Sequence, residues 1–245
     1  MESMKLYNEL AKYYDKLNSA IDYQREVEFI LHVADLFGIS RKGKLLDVGC
    51  GTGNHLCLLR DYFSVAGIDA NENMLNIAST KLPDVPLYKA DMREMELDQL
   101  FDLIICMFGT INYNESLEEL QKTILNFKKH LQPEGTVIID MEFSKEYWLE
   151  GKTWISTFDE DGLQLVRILT STADGDFFHY RPILFIKKNG IVDFETDYHK
   201  LRIFGMHEVE ELLRNQGFFT TGYNGFTLSK WDDKNPGRPV VVASL

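Results

Sequence analysis

Leu45-Leu46-Asp47-Val48-Gly49-Cys50-Gly51-Thr52-Gly53 is the stretch that decides how this chain folds. The apolar run Leu45 to Val48, carrying one acid, reads as a central parallel strand. Gly49, Gly51 and Gly53 then permit a tight turn and bring bare backbone close to a ligand. A helix follows from about Asn54, with Leu56, Leu59 and Tyr62 available for its inner face. Strand, glycine turn and helix make the first half of a nucleotide-binding unit.

The spacing separates the ligands that such a loop can serve. A phosphate-cradling P-loop ends in Gly-Lys-Ser/Thr, and no lysine follows Gly53. The dinucleotide fingerprint wants glycine at its first, third and sixth positions, and the sixth here is Asn54. Asp47 would add negative charge where a pyrophosphate docks. It suits a ligand with positive charge near the turn, such as S-adenosylmethionine, which has an ammonium, a sulfonium and no phosphate. Hydrogen bonding to the loop itself is the alternative role for Asp47, and both can hold together.

Two further acids follow in order. Val65-Ala66-Gly67-Ile68-Asp69 reads as a second parallel strand whose tip acid is placed to accept both ribose hydroxyls. Asn71, just behind it, is the better helix N-cap. Lys89-Ala90-Asp91-Met92-Arg93 closes a short strand from Leu87. A carboxylate there can accept an adenine amino group while Met92 packs on the ring.

With these residues the chain resembles the class I S-adenosylmethionine-dependent methyltransferases over nearly its full length. Asp47 to Gly53 resembles their first motif, Asp69 their ribose acid and Asp91-Met92 their adenine-contacting pair. Phe101 to Phe108 resembles the fourth strand, whose end lies beside the methyl donor, and Pro133 to Asp140 the turn and fifth strand. The fold this implies is α/β, a Rossmann-like sandwich with a mostly parallel central sheet. The cofactor it implies is S-adenosyl-L-methionine, bound by Tyr14, Asp47, Gly49, Cys50, Gly51, Asp69, Ala70, Met74, Asp91, Met92 and Met107. Within the superfamily, Leu82-Pro83-Asp84-Val85-Pro86-Leu87-Tyr88, Asp91-Met92-Arg93 and Cys106-Met107-Phe108 resemble the N-methyltransferases of nucleotide-linked amino sugars. Tyr13-Tyr14-Asp15 and Tyr23 resemble the cofactor-covering segment of small-molecule methyltransferases.

The whole-chain numbers agree with a soluble enzyme. The 245 residues suit one large domain, or a domain with an insertion, and 44% hydrophobic residues suffice for a core. The net charge of −12 argues against a broad basic face for nucleic acid. No basic stretch followed by an apolar run opens the sequence, and no window approaches ~18 apolar residues, so no membrane partner and a cytoplasmic location are expected. Cys50, Cys57 and Cys106 form no Cys-x-x-Cys pair and read as small buried hydrophobes, and the six scattered histidines offer no metal site.

Periodicity gives the remaining elements. Tyr23, Val27, Ile30, Ala34 and Phe37 mark a helix to about Gly38, Asn71 to Leu82 a second, and Leu117 to Leu131 a third with acids first and lysines last. Strands are expected near 44–48, 64–68, 86–89, 101–106 and 135–141. The pattern changes near Ser144. Asp161-Gly162, Asp174-Gly175 and Asn189-Gly190 are hairpin signals between strand-like runs at 153–158, 163–172, 177–187 and 191–204. Residues 144–204 are thus expected to form one inserted antiparallel sheet, an acceptor lid or a homodimer surface. Residues 1–143 and 205–245 should build the methyltransferase domain. A helix from His207 to Asn215 and strands near 218–224 and 239–244 close it.

Residues for the acceptor are fewer. Methyl transfer from a sulfonium asks the protein to align the nucleophile and exclude water, and a base helps when the nucleophile is a protonated amine. In the amino-sugar enzymes that the chain resembles, a histidine follows the fourth strand; here Tyr113 stands in its place, as an amine-positioning group or a packed aromatic. Tyr14, with Tyr13 beside it, is the other candidate for contact with cofactor or acceptor. The resemblance implies that Arg167 and Arg238 hold substrate phosphates; a strand's solvent face and a surface turn are the alternatives. Glu142 and Trp148 line an acceptor pocket or pack a linker.

Overall fold

The computed structural model describes residues 4–147, 150–234 and 237–245. Its first strands are β1 (Lys44–Val48), β2 (Ser64–Asp69), β3 (Leu87–Lys89), β4 (Phe101–Cys106) and β5 (Leu131–Asp140). They run parallel in the order β3-β2-β1-β4-β5, so the direction of winding reverses between β1 and β4. Alternate side chains feed two cores. Leu46, Val48, Ile68 and Ile104 pack on one face with Ile124 and Phe127. Leu45, Val65, Leu103 and Ile105 pack on the other with Val27, Ile30 and Val33. Burial on both faces is why these strands read as continuous apolar runs.

The helices start where side chains cap them. Asp22 accepts the amide of Arg25 ahead of the helix Tyr23–Leu36, and Gly38 (φ 69°) follows that helix in the left-handed conformation. Asn71 caps the helix Glu72–Lys81, and Ser116 caps Leu117–His130. That last helix runs directly into β5. The strand begins earlier than expected, at Leu131, because Leu131 pairs with Phe101 before the register shifts.

The middle of the chain forms two antiparallel sheets in place of the single one expected. One holds β6 (Thr153–Glu160), β7 (Leu163–Thr170), β10 (Ile183–Lys188) and β11 (Ile191–Thr196), in the order β11-β10-β7-β6. The other holds β8 (Ala173–Asp174), β9 (Phe177–Tyr180) and β12 (His199–Arg202). Asp161-Gly162 and Asn189-Gly190 make two-residue turns with both residues at positive φ, as the type I′ turn requires. The third turn falls one position later than the Asp-Gly signal, on Gly175-Asp176. The expected strand 177–187 breaks at Arg181-Pro182, since proline has no N–H to give a ladder. The run 191–204 breaks at Asp197, whose carboxylate accepts the amides of Lys5 (2.9 Å) and Leu6 (2.7 Å).

Those two bonds tie the first residues to the middle of the chain. Contacts divide the chain into one unit of residues 1–21 and 149–201 and another of 22–148 and 202–245. The first 21 residues therefore group with the inserted sheets and not with the methyltransferase unit. Leu6, Leu10 and Leu17 bury themselves against Leu165 and Leu184. The flanks 144–147 and 202–204 belong to the larger unit, where Ser144 and Phe204 form a parallel bridge. The larger unit ends in the helix Met206–Asn215, β13 (Phe219–Asn224) and β14 (Pro239–Ser244). β14 inserts antiparallel between β5 and β13 and completes a seven-stranded sheet.

Candidate active site

In open α/β sheets the ligand crevice lies outside the carboxyl ends of the strands, where the strand order reverses. Here that is the gap between β1 and β4. Gly49, Gly51 and Gly53, at φ 72°, 54° and 79°, turn the chain out of β1. A Cβ on Gly49 would collide with Thr110, and one on Gly53 would come within 2.8 Å of Leu82. At Gly51 the nearest neighbour is the Met74 methyl at 3.4 Å, so two glycines are forced by packing and the middle one faces a more open side.

Asp69 ties this loop to the tip of β2. Its Oδ2 accepts the Gly51 amide at 2.9 Å and its Oδ1 the Asn71 amide at 2.8 Å. Burial raises the Asp69 carboxyl above its ordinary range, against the pull of those two amides. Asp47 is 1% exposed, and among the described residues its Oδ2 has no hydrogen-bond partner. Burial pushes its carboxyl up to about 6, with His55 drawing it down and Asp69 raising it. A buried carboxylate oxygen left without a donor is costly, and a ligand ammonium would supply one. The residues at the loop therefore fit S-adenosylmethionine. Met74, whose methyl meets Gly51, is buried, as are Met92, Met107 and Cys50, while Ala70 is exposed. Burial drives the thiols of Cys50 and Cys106 well up, so both behave as small apolar groups. Cys57 is only half-buried.

Asp91 is more committed than its motif suggests. Arg93 forks onto both of its oxygens at 2.8 and 2.6 Å and reaches Glu119 with its remaining nitrogen at 2.8 Å. The guanidinium holds the Asp91 carboxyl below its usual range. An adenine amino group would have to share an occupied carboxylate.

Beyond β4 the chain turns at once through Phe108 (φ 56°) and Gly109 (φ 62°) into a short 3-10 turn, Thr110–Tyr113. Tyr113 is half-buried and packs against the core. Asn112, fully buried, donates to the carbonyls of Phe143 (2.7 Å) and Arg202 (2.6 Å) and braces this turn. Arg238 does not stand open for phosphate. It forks onto Asp140, which is fully buried, and lies 3.7 Å from Glu142. In the smaller unit Arg167 gives one nitrogen to Asn18 (3.0 Å), Ser156 (2.8 Å) and the Leu17 carbonyl (3.5 Å). Tyr13 and Tyr14 belong to that same unit and pack against its leucine core. Trp148 lies outside the described residues.

Known proteins converge on the same reading. A family described as "Methyltransferase domain" matches residues 45–135. The chain is 30% identical over 175 residues to the dTDP-3-amino-3,4,6-trideoxy-alpha-D-glucopyranose N,N-dimethyltransferase of Streptomyces venezuelae, spanning 71% of this chain and 74% of that one. It is 30% identical over 221 residues to the dTDP-3-amino-3,6-dideoxy-alpha-D-glucopyranose N,N-dimethyltransferase of Streptomyces fradiae, spanning 85% and 83%. The chain belongs to the S-adenosylmethionine-dependent methyltransferases. The solved structure of SAM-bound CalS10, an amino pentose methyltransferase from Micromonospora echinaspora, matches with a TM-score of 0.78 at 25% identity over 92% of both chains.

The methyltransferase site contains one pair that the motifs did not disclose. His55, on the first turn after the glycine loop, bonds Glu26 through Nε2 at 2.7 Å, and both side chains are buried. Its ring meets Tyr23 edge-on at 5.2 Å and Phe108 at 5.8 Å. A polar residue among the inward positions of that short helix, beside Leu56 and Leu59, was the available signal. Among the described residues no group of three His, Cys, Asp or Glu side chains gathers as metal ligands, and no helix is long and apolar enough to cross a membrane.

Proposed function

We propose that the enzyme methylates the amino group of a nucleotide-linked amino sugar in the cytoplasm. The observation that carries this reading is the similarity to a dTDP-amino-sugar N,N-dimethyltransferase over 85% of the chain, which reaches well beyond the cofactor motifs. S-adenosylmethionine, when bound, supplies an electrophilic methyl group and its own leaving group. Asp69 would hold the ribose, the glycine loop would receive the amino-acid end, and Asp47 would face its ammonium. Tyr113 would position the acceptor nitrogen at the turn beyond β4, and Tyr14 would contact the cofactor or acceptor. The inserted sheets would serve the acceptor, since every cofactor motif lies outside them. The test is conversion of dTDP-3-amino-3,6-dideoxyglucose to its mono- and dimethylated forms, followed by mass spectrometry alongside S-adenosylhomocysteine release. Turnover of another metabolite, with nucleotide-linked amino sugars untouched, would overturn the acceptor.

The same reading includes a homodimer. On one face of the four-stranded sheet, Ile155, Ile183, Phe185, Val192 and Phe194 stand exposed, with Phe185 directly opposite Phe194. A contiguous apolar face of this kind marks an interaction surface, and an apolar sheet face can meet its own copy. Sedimentation equilibrium should show a dimer, and Phe194→Asp should shift it to monomer without changing cofactor affinity.

A further inference from the structure

Among the described residues three non-glycine positions have positive φ: Phe108, Asp161 and Asn189. Asp161 and Asn189 sit in two-residue hairpin turns, which demand that conformation. Phe108 does not. It carries a bulky side chain in the left-handed region (φ 56°) directly after β4, with Gly109 left-handed behind it. Such strain persists only where surrounding contacts over-determine it.

The contacts are specific. The Phe108 amide donates to Asp140 Oδ2 at 2.8 Å. Asp140 is fully buried at the end of β5, and its Oδ1 accepts Arg238 Nε at 2.7 Å while Arg238 Nη2 closes the fork on Oδ2. The guanidinium also lies 5.9 Å from the centre of the Phe108 ring and 5.2 Å from that of Phe226. The half-buried Phe108 ring also meets Tyr23 at 5.6 Å and His55 at 5.8 Å. One arginine thus grips both the carboxylate that pins the Phe108 backbone and the ring that Phe108 presents. These groups gather at the carboxyl end of β4, across the switch point from the glycine loop.

We propose that Asp140 and Arg238 are positioning residues for methyl transfer, holding Phe108 left-handed so that its ring walls the reaction side of the crevice. The assignment of this side to the acceptor rests on the proposed function; the latch itself does not. It also replaces the phosphate role for Arg238, because a guanidinium already committed to one carboxylate and close to a second makes a poor anion site.

The experiment uses the full-length enzyme and Arg238→Met, with Arg238→Lys as the second variant should the first fail to fold, since lysine keeps the charge but loses the fork. Amide exchange is read at Phe108, and S-adenosylhomocysteine affinity by calorimetry. The expected result is Phe108 exchange faster by about tenfold or more, because the opening that exposes that amide becomes easier. Cofactor affinity should stay within about threefold of wild type, since the Asp69 bonds that hold it are untouched. With dTDP-3-amino-3,6-dideoxyglucose as the acceptor probe, kcat should fall about tenfold or more while KM stays nearly constant, because alignment is lost and uniform binding is kept. Unchanged Phe108 exchange overturns the latch whatever the acceptor proves to be. A raised KM with wild-type kcat overturns it in favour of anion binding. If the wild-type enzyme does not turn over this sugar, the acceptor assignment fails, and the exchange result alone decides the latch.

Discussion

The two sides of the crevice are built in opposite ways. The cofactor side is made of backbone: three left-handed glycines and two amides held by Asp69, all within residues 49–71. The opposite side, at the end of β4, which we propose faces the acceptor, is held by side chains that reach distant parts of the chain, with Arg238 on Asp140 across 98 positions and Asn112 on the Arg202 carbonyl across 90. Backbone sites follow from a few local residue types, whereas side-chain sites exist only once the fold has brought remote residues together. A cofactor shared by many enzymes can use the first kind; an acceptor peculiar to one enzyme is recognised by the second.

The sharpest way to break this contrast is at Asp69. Asp69→Ala should remove two charge-assisted bonds to the ribose, each contributing roughly 1.5–3 kcal/mol, and so weaken S-adenosylmethionine by about a hundredfold or more. Calorimetry retaining wild-type affinity would strip Asp69 of that role and leave it as a brace for Gly51 and Asn71.

A smaller effect separates Asp47 from a purely structural acid. In the free protein burial pushes its carboxyl up to about 6, above its unfolded value, so the folded state should hold the extra proton between roughly pH 4 and 6. Free-protein stability from this group therefore declines as pH rises through that window. A bound ammonium favours the ionised form, so cofactor affinity should move the other way. It should rise by up to about tenfold for each step of one in pH from 4 to 6 and level off above, with a proton released on binding. Calorimetry in buffers of different ionisation enthalpy would count that proton. Asp47→Asn should abolish both the pH dependence and the proton release.

The smallest effect belongs to the inserted unit. Arg167→Ala removes the bonds to Asn18 and Ser156, at a cost of about 1–3 kcal/mol in stability. Cofactor affinity should stay within about twofold, since sites that share no partner are additive and Asn18, Ser156 and Leu17 lie outside the cofactor motifs. A lowered melting temperature with intact binding would fit. An unchanged melting temperature with a raised acceptor KM would restore the phosphate role expected of Arg167 from sequence.

What was legible in the sequence follows the same division. The glycine loop, Asp69 at the tip of β2, the five parallel strands (the start of β5 apart) and the turns at Asp161-Gly162 and Asn189-Gly190 depend on neighbours only, and they stand where the residues implied. The break at Pro182 was legible too, since a proline inside a strand-like run argues against continuity. The docking of residues 5 and 6 on Asp197 was not, because nothing local distinguishes that acid from Asp193 or Glu195. The partner of Asp91 was hidden for a related reason. The motif shows a carboxylate at a strand end, but not that Arg93, two positions on, would close over it. Glu26 and His55 are 29 positions apart, and neither side chain announces the other.

The Asp140–Arg238 fork also fixes an order of events on the ribosome. The glycine loop and the strands β1 to β5 have all been synthesised when Asp140 is added, but the arginine that secures the turn beyond β4 follows 98 residues later. At translation rates of about 5–20 residues per second, that is a delay of roughly 5–20 s. Until then the outer edge of β5 also waits for β14, its neighbour in the finished sheet. A nascent chain would thus carry the elements of its cofactor loop while Asp140 has no cation and β5 an open flank, the kind of edge that invites pairing with another chain.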